Sequence, residues 1–158
     1  MIRLVQSLHA KKHAPMAGFT VIELLVTVLI LAILATIAAP NMTSFILATR
    51  VKSAASDLYS ALIFARSEAI KRNANIDIVP ITAWQGGWQV SAGGTVLNQQ
   101  DAFPATLSIA GPAGTITYQR DGRLSGAATA IFTVSAPSNP SVKTKTVSVD
   151  LGGRALVK

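Results

Sequence analysis

No cysteine occurs among the 158 residues, which excludes disulfides, thiol nucleophiles and thiolate metal sites and leaves no record of redox compartment. Histidine is confined to His9 and His13. Beyond them, Asp57, Glu68, Asp77, Asp101, Asp121 and Asp150 are scattered over helix, strand and turn positions, without paired-carboxylate spacing. There is no glycine loop of the kind that cradles phosphate. Aromatic residues make up only 6% of the chain, so any soluble core is of modest size. These absences argue against an enzyme and against a metal or cofactor site.

What the chain does have is an apolar run, "AGFTVIELLVTVLILAILATIAAPN" at residues 17–41. Glu23 lies inside it, four residues after Phe19, although a carboxylate at the centre of a membrane helix costs about 2.5–3.5 kcal/mol. Arg3, Lys11 and Lys12 precede the run, and no acidic residue does. Three readings compete. A basic flank followed by an apolar stretch fits an export signal cut near Ala39, with Pro40 unfavourably close behind. It also fits a single-pass anchor. Residues 19–39 span about 31 Å as a helix, enough for the hydrocarbon core, and the positive N-terminal flank keeps that end cytoplasmic.

The third reading accounts for Glu23. Gly18-Phe19-Thr20-Val21-Ile22-Glu23-Leu24-Leu25, behind a basic leader and ahead of Pro40, resembles the class III signal of type IV pilins and pseudopilins. The resemblance implies cleavage after Gly18 by prepilin peptidase and N-methylation of Phe19, which removes both histidines with the leader. Glu23 then lies one turn beyond a charged amine, where the helix dipole favours a carboxylate. In the family this carboxylate meets the amine of a neighbouring subunit during assembly, and a buried charge with one good partner fixes register.

Pro40, lacking an amide donor, predicts a kink where the helix leaves the bilayer. Beyond it Val51, Ala54, Ala55, Leu58, Leu62, Ala65 and Ala69 recur at three- and four-residue steps, the pattern of an amphipathic helix. In "ARSEAIKRN" (65–73), Glu68 and Arg72 are ordered for an i, i+4 pair, and Asn73 suits a C-terminal cap. This ending is similar to that of the GspH/FimT branch of minor pilins and pseudopilins. "GGWQV" (86–90), an Asp-Gly turn and a Gly-Arg near the C-terminus also fit that branch. Many FimT-like members carry cysteines in the domain, and this chain departs from them.

From residue 75 onward, short β-prone runs alternate with turns at Gly93-Gly94, Asp121-Gly122 and Gly152-Gly153. The runs are 76–81, 87–92, 95–99, 105–110, 115–120, 130–136 and 144–151, with 154–158 closing. Alternation in "TKTVSVDL" places Val147, Val149 and Leu151 on one inward face. Trp84 and Trp88 read as core or edge packing. The fold class is α+β. The resemblance makes it type IV pilin-like, with a long N-terminal helix, transmembrane in its first half, packed on a C-terminal antiparallel β-sandwich. The expected divisions are a cleaved leader at 1–18, a transmembrane and assembly segment at 19–40, an amphipathic half at 41–73 and a β-rich domain at 74–158.

The resemblance implies a FimT/FimU-like minor pilin that helps initiate assembly of a type IV pilus or sits at its tip. The alternative is a GspH-type pseudopilin of type II secretion. Its partners would be major and minor pilins or pseudopilins, prepilin peptidase and the bacterial inner membrane, with the C-terminal domain periplasmic until the subunit enters the pilus or pseudopilus. Some FimT-like pilins capture DNA during natural transformation through basic residues near the C-terminus. Here the candidates are Lys143, Lys145, Arg154 and Lys158. The second arginine that DNA-binding members place two residues past the Gly-Arg is missing, because Leu156 stands there.

Overall fold

The computed structural model describes residues 18–126 and 128–158, with the side chains of 37–41 outside the description. The leader expected at 1–18, apart from Gly18, and the side chain of Pro40 at the expected kink therefore fall outside the description. The chain divides into two compact units, Met1–Ala38 and Ala39–Lys158. One 52-residue helix, α1 (Val21–Arg72), contributes to both.

In the first unit, the described apolar side chains of α1 are exposed through Thr36. Among the described residues, no helix is long and apolar enough to cross a membrane. The run 21–36 rises about 24 Å at 1.5 Å per residue, short of the hydrocarbon thickness, and the rest of the expected span falls at 37–39.

Among the described residues, the buried core lies in the second unit. Strands β1 (Ile76–Pro80), β2 (Trp88–Ala92), β3 (Thr95–Gln100) and β5 (Ile116–Tyr118) form one antiparallel sheet in the order β3-β2-β1-β5. Strands β4 (Ser108–Ala110), β6 (Ala130–Ser135), β7 (Lys145–Val149) and β8 (Ala155–Val157) form a second, ordered β4-β6-β7-β8. Period-two alternation buries Ile76 and Ile78 on β1, Phe132 and Val134 on β6, and Val147 and Val149 on β7. The helix stripe read from the sequence, Val51 through Ala69, is buried in the same cluster. Alanines at four of its seven positions allow close approach of the sheets.

Local chemistry sets the element ends. Asn73 adopts φ +51°. The Ala74 amide donates to Ala69 O and the Asn73 amide to Ile70 O, which closes the helix in a Schellman motif. Gly93 and Gly94, both at positive φ, form the two-residue turn between β2 and β3. Trp84 begins a short 3-10 turn and packs edge-on against Phe132, with centroids 4.7 Å apart. Its indole N–H donates to Pro112 O at 2.8 Å. Trp88 stacks on Phe103. Leu151 departs from the sequence expectation. β7 ends at Val149, so Leu151 falls in the following turn and is 39% exposed.

Candidate functional site

Gly18, Phe19 and Thr20 precede α1 without helical structure. The space around the Gly18 α-carbon is open, and the Phe19 side chain is 79% exposed. Thr20 is the N-cap. Its Oγ1 accepts from the Glu23 amide at 3.3 Å, and its carbonyl accepts from the Glu23 and Leu24 amides. Glu23 is thus the third residue of the helix, in the turn where the dipole stabilises a carboxylate. Thr20-x-x-Glu23 has the spacing of a capping box, a signal in the sequence that the charge-pairing argument passed over. Glu23 makes no ion pair within the chain among the described residues.

Of the four basic candidates near the C-terminus, Arg154 is paired with Asp150 beyond one end of β7, and Lys143, Lys145 and Lys158 lie toward the other end. Arg154 donates from Nε to Asp150 Oδ2 at 3.0 Å and from its backbone amide to Asp150 Oδ1 at 2.8 Å. The backbone bond, then the guanidinium bond, holds the Asp150 carboxyl below its ordinary range. Lys145 stands at the other end of β7, roughly 17 Å along the strand from Asp150. Lys158 is exposed, and its backbone exchanges hydrogen bonds with Thr146 at 3.0 and 2.8 Å. Lys143 and Lys145 line a groove of about 440 Å³ whose opposite wall is α1, carrying Phe45, Ala48 and Lys52. Lys52 and Lys145 also border an adjoining hollow of about 230 Å³, beside Tyr59 and Val157. Sequence reasoning missed Lys52 because it precedes the other lysines by some ninety residues.

A second polar cluster sits at the end of α1. Glu68 is buried, unlike an ordinary helix-end pair, and accepts from Arg72 Nε and from Lys71 Nζ. The Arg72 bond is the main reason its carboxyl lies below the usual range. Tyr118 Oη and Arg66 Nε are buried without a hydrogen-bond partner among the described residues. Burial pushes the Tyr118 phenol up to about 12. No group of three or more His, Asp or Glu capable of holding a metal occurs among the described residues.

A long helix opened by a capped Gly-Phe-Thr…Glu segment, with its second half packed on two antiparallel sheets, defines a pilin-like subunit. The family of the Type II transport protein GspH matches residues 54–153, and a prokaryotic N-terminal methylation motif matches residues 15–39. The chain belongs to the GspH family. It is a minor type IV pilin or type II pseudopilin processed at a class III signal, a structural protein and not an enzyme. The family implies other pilins and prepilin peptidase as partners, and the signal implies inner-membrane anchoring before assembly.

Among solved structures, the type IV minor pilin FimU of Pseudomonas aeruginosa is similar at TM-score 0.62 and 24% identity, over 70% of this chain and 89% of that one. A second crystal form of FimU gives 0.60 and 23%, over 68% and 91%. The minor pseudopilin EpsH from the type 2 secretion system of Vibrio cholerae gives 0.54 and 13%, over 69% and 96%. No curated protein matches the chain at a significant level.

Proposed function

We propose that this chain is a minor pilin of the FimT/FimU kind, which helps initiate assembly of a type IV pilus or sits at its tip. The observation that carries the reading is the exposed Gly18–Phe19 junction set immediately before a capped helix start bearing Glu23. Cleavage there frees the Phe19 amine, which is then methylated but keeps its charge. Glu23 has no ion-pair partner of its own among the described residues, so its carboxylate is available to the amine of a neighbouring subunit. In a desolvated filament core that pair fixes the stagger between helices. Until then residues 19–39 hold the subunit in the membrane. Preference for a pilus over a secretion pseudopilus rests on the likeness to FimU, which exceeds that to EpsH in both TM-score and identity.

N-terminal sequencing of the mature protein tests the processing step. Methylated phenylalanine at position 19 is expected, whereas a chain beginning at Met1 or near Ala39 refutes it. Deletion of the gene tests the destination. Loss of surface pili with type II secretion intact is expected, and the reverse pattern establishes the GspH-type pseudopilin instead. DNA capture is the further alternative for the same subunit. A gel shift with the second unit tests it, because phosphate contact through Lys143, Lys145, Arg154 and Lys158 requires retardation that falls steeply with salt.

A further inference from the structure

We infer that the open edge of β3 takes up an extended strand from a neighbouring pilin subunit, one that carries a basic side chain facing Asp57. The inference deepens the pilin reading by naming how a partner is held, and it rests on the family's association with other pilins. Among the described residues, the two sheets present four edges. Beside β5, the Ser125 amide donates to Thr117 O at 2.8 Å and Tyr118 bridges to Leu124, so residues 123–125 cover that edge. At β4, the Gln85 carboxamide accepts from the Ile109 amide at 3.0 Å. β8 is three residues long and is flanked by Arg154 and Lys158. β3 has six residues, and its outer edge makes no hydrogen bond among the described residues. Neither β3 nor its hairpin partner β2 contains a charged residue or a proline, the features that ordinarily keep an edge from pairing.

A row of unpaired amides and carbonyls selects an extended main chain as its ligand. Register decides which side chains of that ligand meet the helix. Asn98 stands opposite Val90 and Gln100 opposite Trp88, and both β2 residues are fully buried in the core cluster. Asn98 and Gln100 therefore share the inward face. With Trp88 they line a hollow of about 260 Å³, whose opposite wall is α1 at Asp57, Ser60 and Phe64. A strand added to β3 at the usual spacing of about 4.8 Å turns alternate side chains onto this face, over the hollow. Asp57 is the one charged residue lining it. It is exposed and makes no ion pair among the described residues, not even with Arg50 two turns back along α1. An ionised carboxylate only accepts, so lysine or arginine on the incoming strand suits it, and aspartate or glutamate is repelled.

The test uses the full chain in detergent and, as probe, a dye-labelled nonapeptide of alternating threonine and valine with lysine at its centre. Fluorescence anisotropy is expected to show saturable binding, weakened about tenfold when glutamate replaces that lysine. N-methylation of alternate peptide amides is expected to abolish it, because the strand can then no longer pair. Asp57→Asn is expected to remove the preference for lysine. Asn98→Lys supplies its own cation to Asp57 and blunts the edge, and is expected to abolish binding without lowering the thermal midpoint. In cells, Asn98→Lys is expected to keep methylated Phe19 but to enter the filament less than the parent does. No saturable binding, binding indifferent to N-methylation, equal affinity for the lysine and glutamate peptides, or normal incorporation of Asn98→Lys overturns the inference and leaves the pilin reading standing. A concentration-dependent dimer of the parent chain that Asn98→Lys dissociates reassigns the edge to a second copy. Absence of methylated Phe19 from the parent removes the pilin reading, and the neighbouring pilin with it.

Discussion

Gly153 packs its α-carbon directly against the carbonyl group of Gly122, locking together two turns about thirty residues apart in sequence. A Cβ on Gly153 would strike the Gly122 carbonyl oxygen and lie 3.2 Å from Tyr118 Cε1. Gly122 is pressed in turn by the end of α1, where a Cβ would fall 2.7 Å from Ile70 Cδ1. Both glycines have φ +77°. The Leu124 amide donating to Leu151 O completes the clasp. The Asp-Gly turn and the Gly-Arg segment are therefore two halves of one contact.

Substitution at this contact is correspondingly severe. Gly153→Ala is expected to destabilise the second unit by about 2–4 kcal/mol, through left-handed backbone strain and the clash together. Gly94→Ala has similar φ but open space around it and is expected to cost about 1 kcal/mol. Urea unfolding of the two variants checks the difference. Equal losses would mean that the backbone conformation, and not the interlock, matters.

Tyr118 should set the alkaline limit of stability. Its phenol stays protonated in the folded unit up to about 12, whereas in the unfolded chain it ionises near 10. Between those values the unfolded state has lost a proton that the folded state keeps, so stability falls as pH rises, by about 1–2 kcal/mol overall. Tyr118→Phe is expected to flatten that slope. It should also leave neutral-pH stability unchanged or raised, because the hydroxyl it removes has no partner among the described residues. Denaturant midpoints at pH 9 and pH 11 measure both effects.

Acid acts through Glu68. Its carboxyl is held below the ordinary value by Arg72, so its contribution is present above the unfolded pKa and is lost as pH falls through the folded one. Glu68→Gln is expected to lower stability at neutral pH and to make the acid limb shallower. An unchanged acid limb in Glu68→Gln would assign acid sensitivity to Asp150, the other carboxyl held low.

Core and surface of the helix should separate sharply. Leu58, fully buried, is expected to cost about 2–5 kcal/mol on Leu58→Ala. Lys52→Gln, on the exposed flank, is expected to stay within about 0.5 kcal/mol of the parent. Thermal unfolding followed by circular dichroism distinguishes them.

At Glu23, normal membrane insertion with failed filament assembly is the expected result of Glu23→Ala. Normal assembly of that variant would remove the role in fixing register.

By itself the sequence determined the elements whose signals are local. The apolar stripe Val51 to Ala69 repeats at helical period, the β-runs alternate at period two, and Gly93-Gly94 specifies a two-residue turn. The signal Gly18 to Glu23 needs no fold to be read. Even locally some information was passed over, as in the capping spacing of Thr20 and Glu23. Only the tertiary structure decided which residues distant in sequence share a surface. It ended β7 before Leu151, buried Glu68 in the last turns of α1, and drew Arg154 to Asp150 and away from Lys145. It placed Lys52 across a groove from Lys143 and set Gly153 on Gly122. The turn that ends β7 and pairs Arg154 with Asp150 is closed by contacts three and four residues apart, whereas the groove and the Gly153–Gly122 contact join segments distant in the chain, which periodicity does not encode.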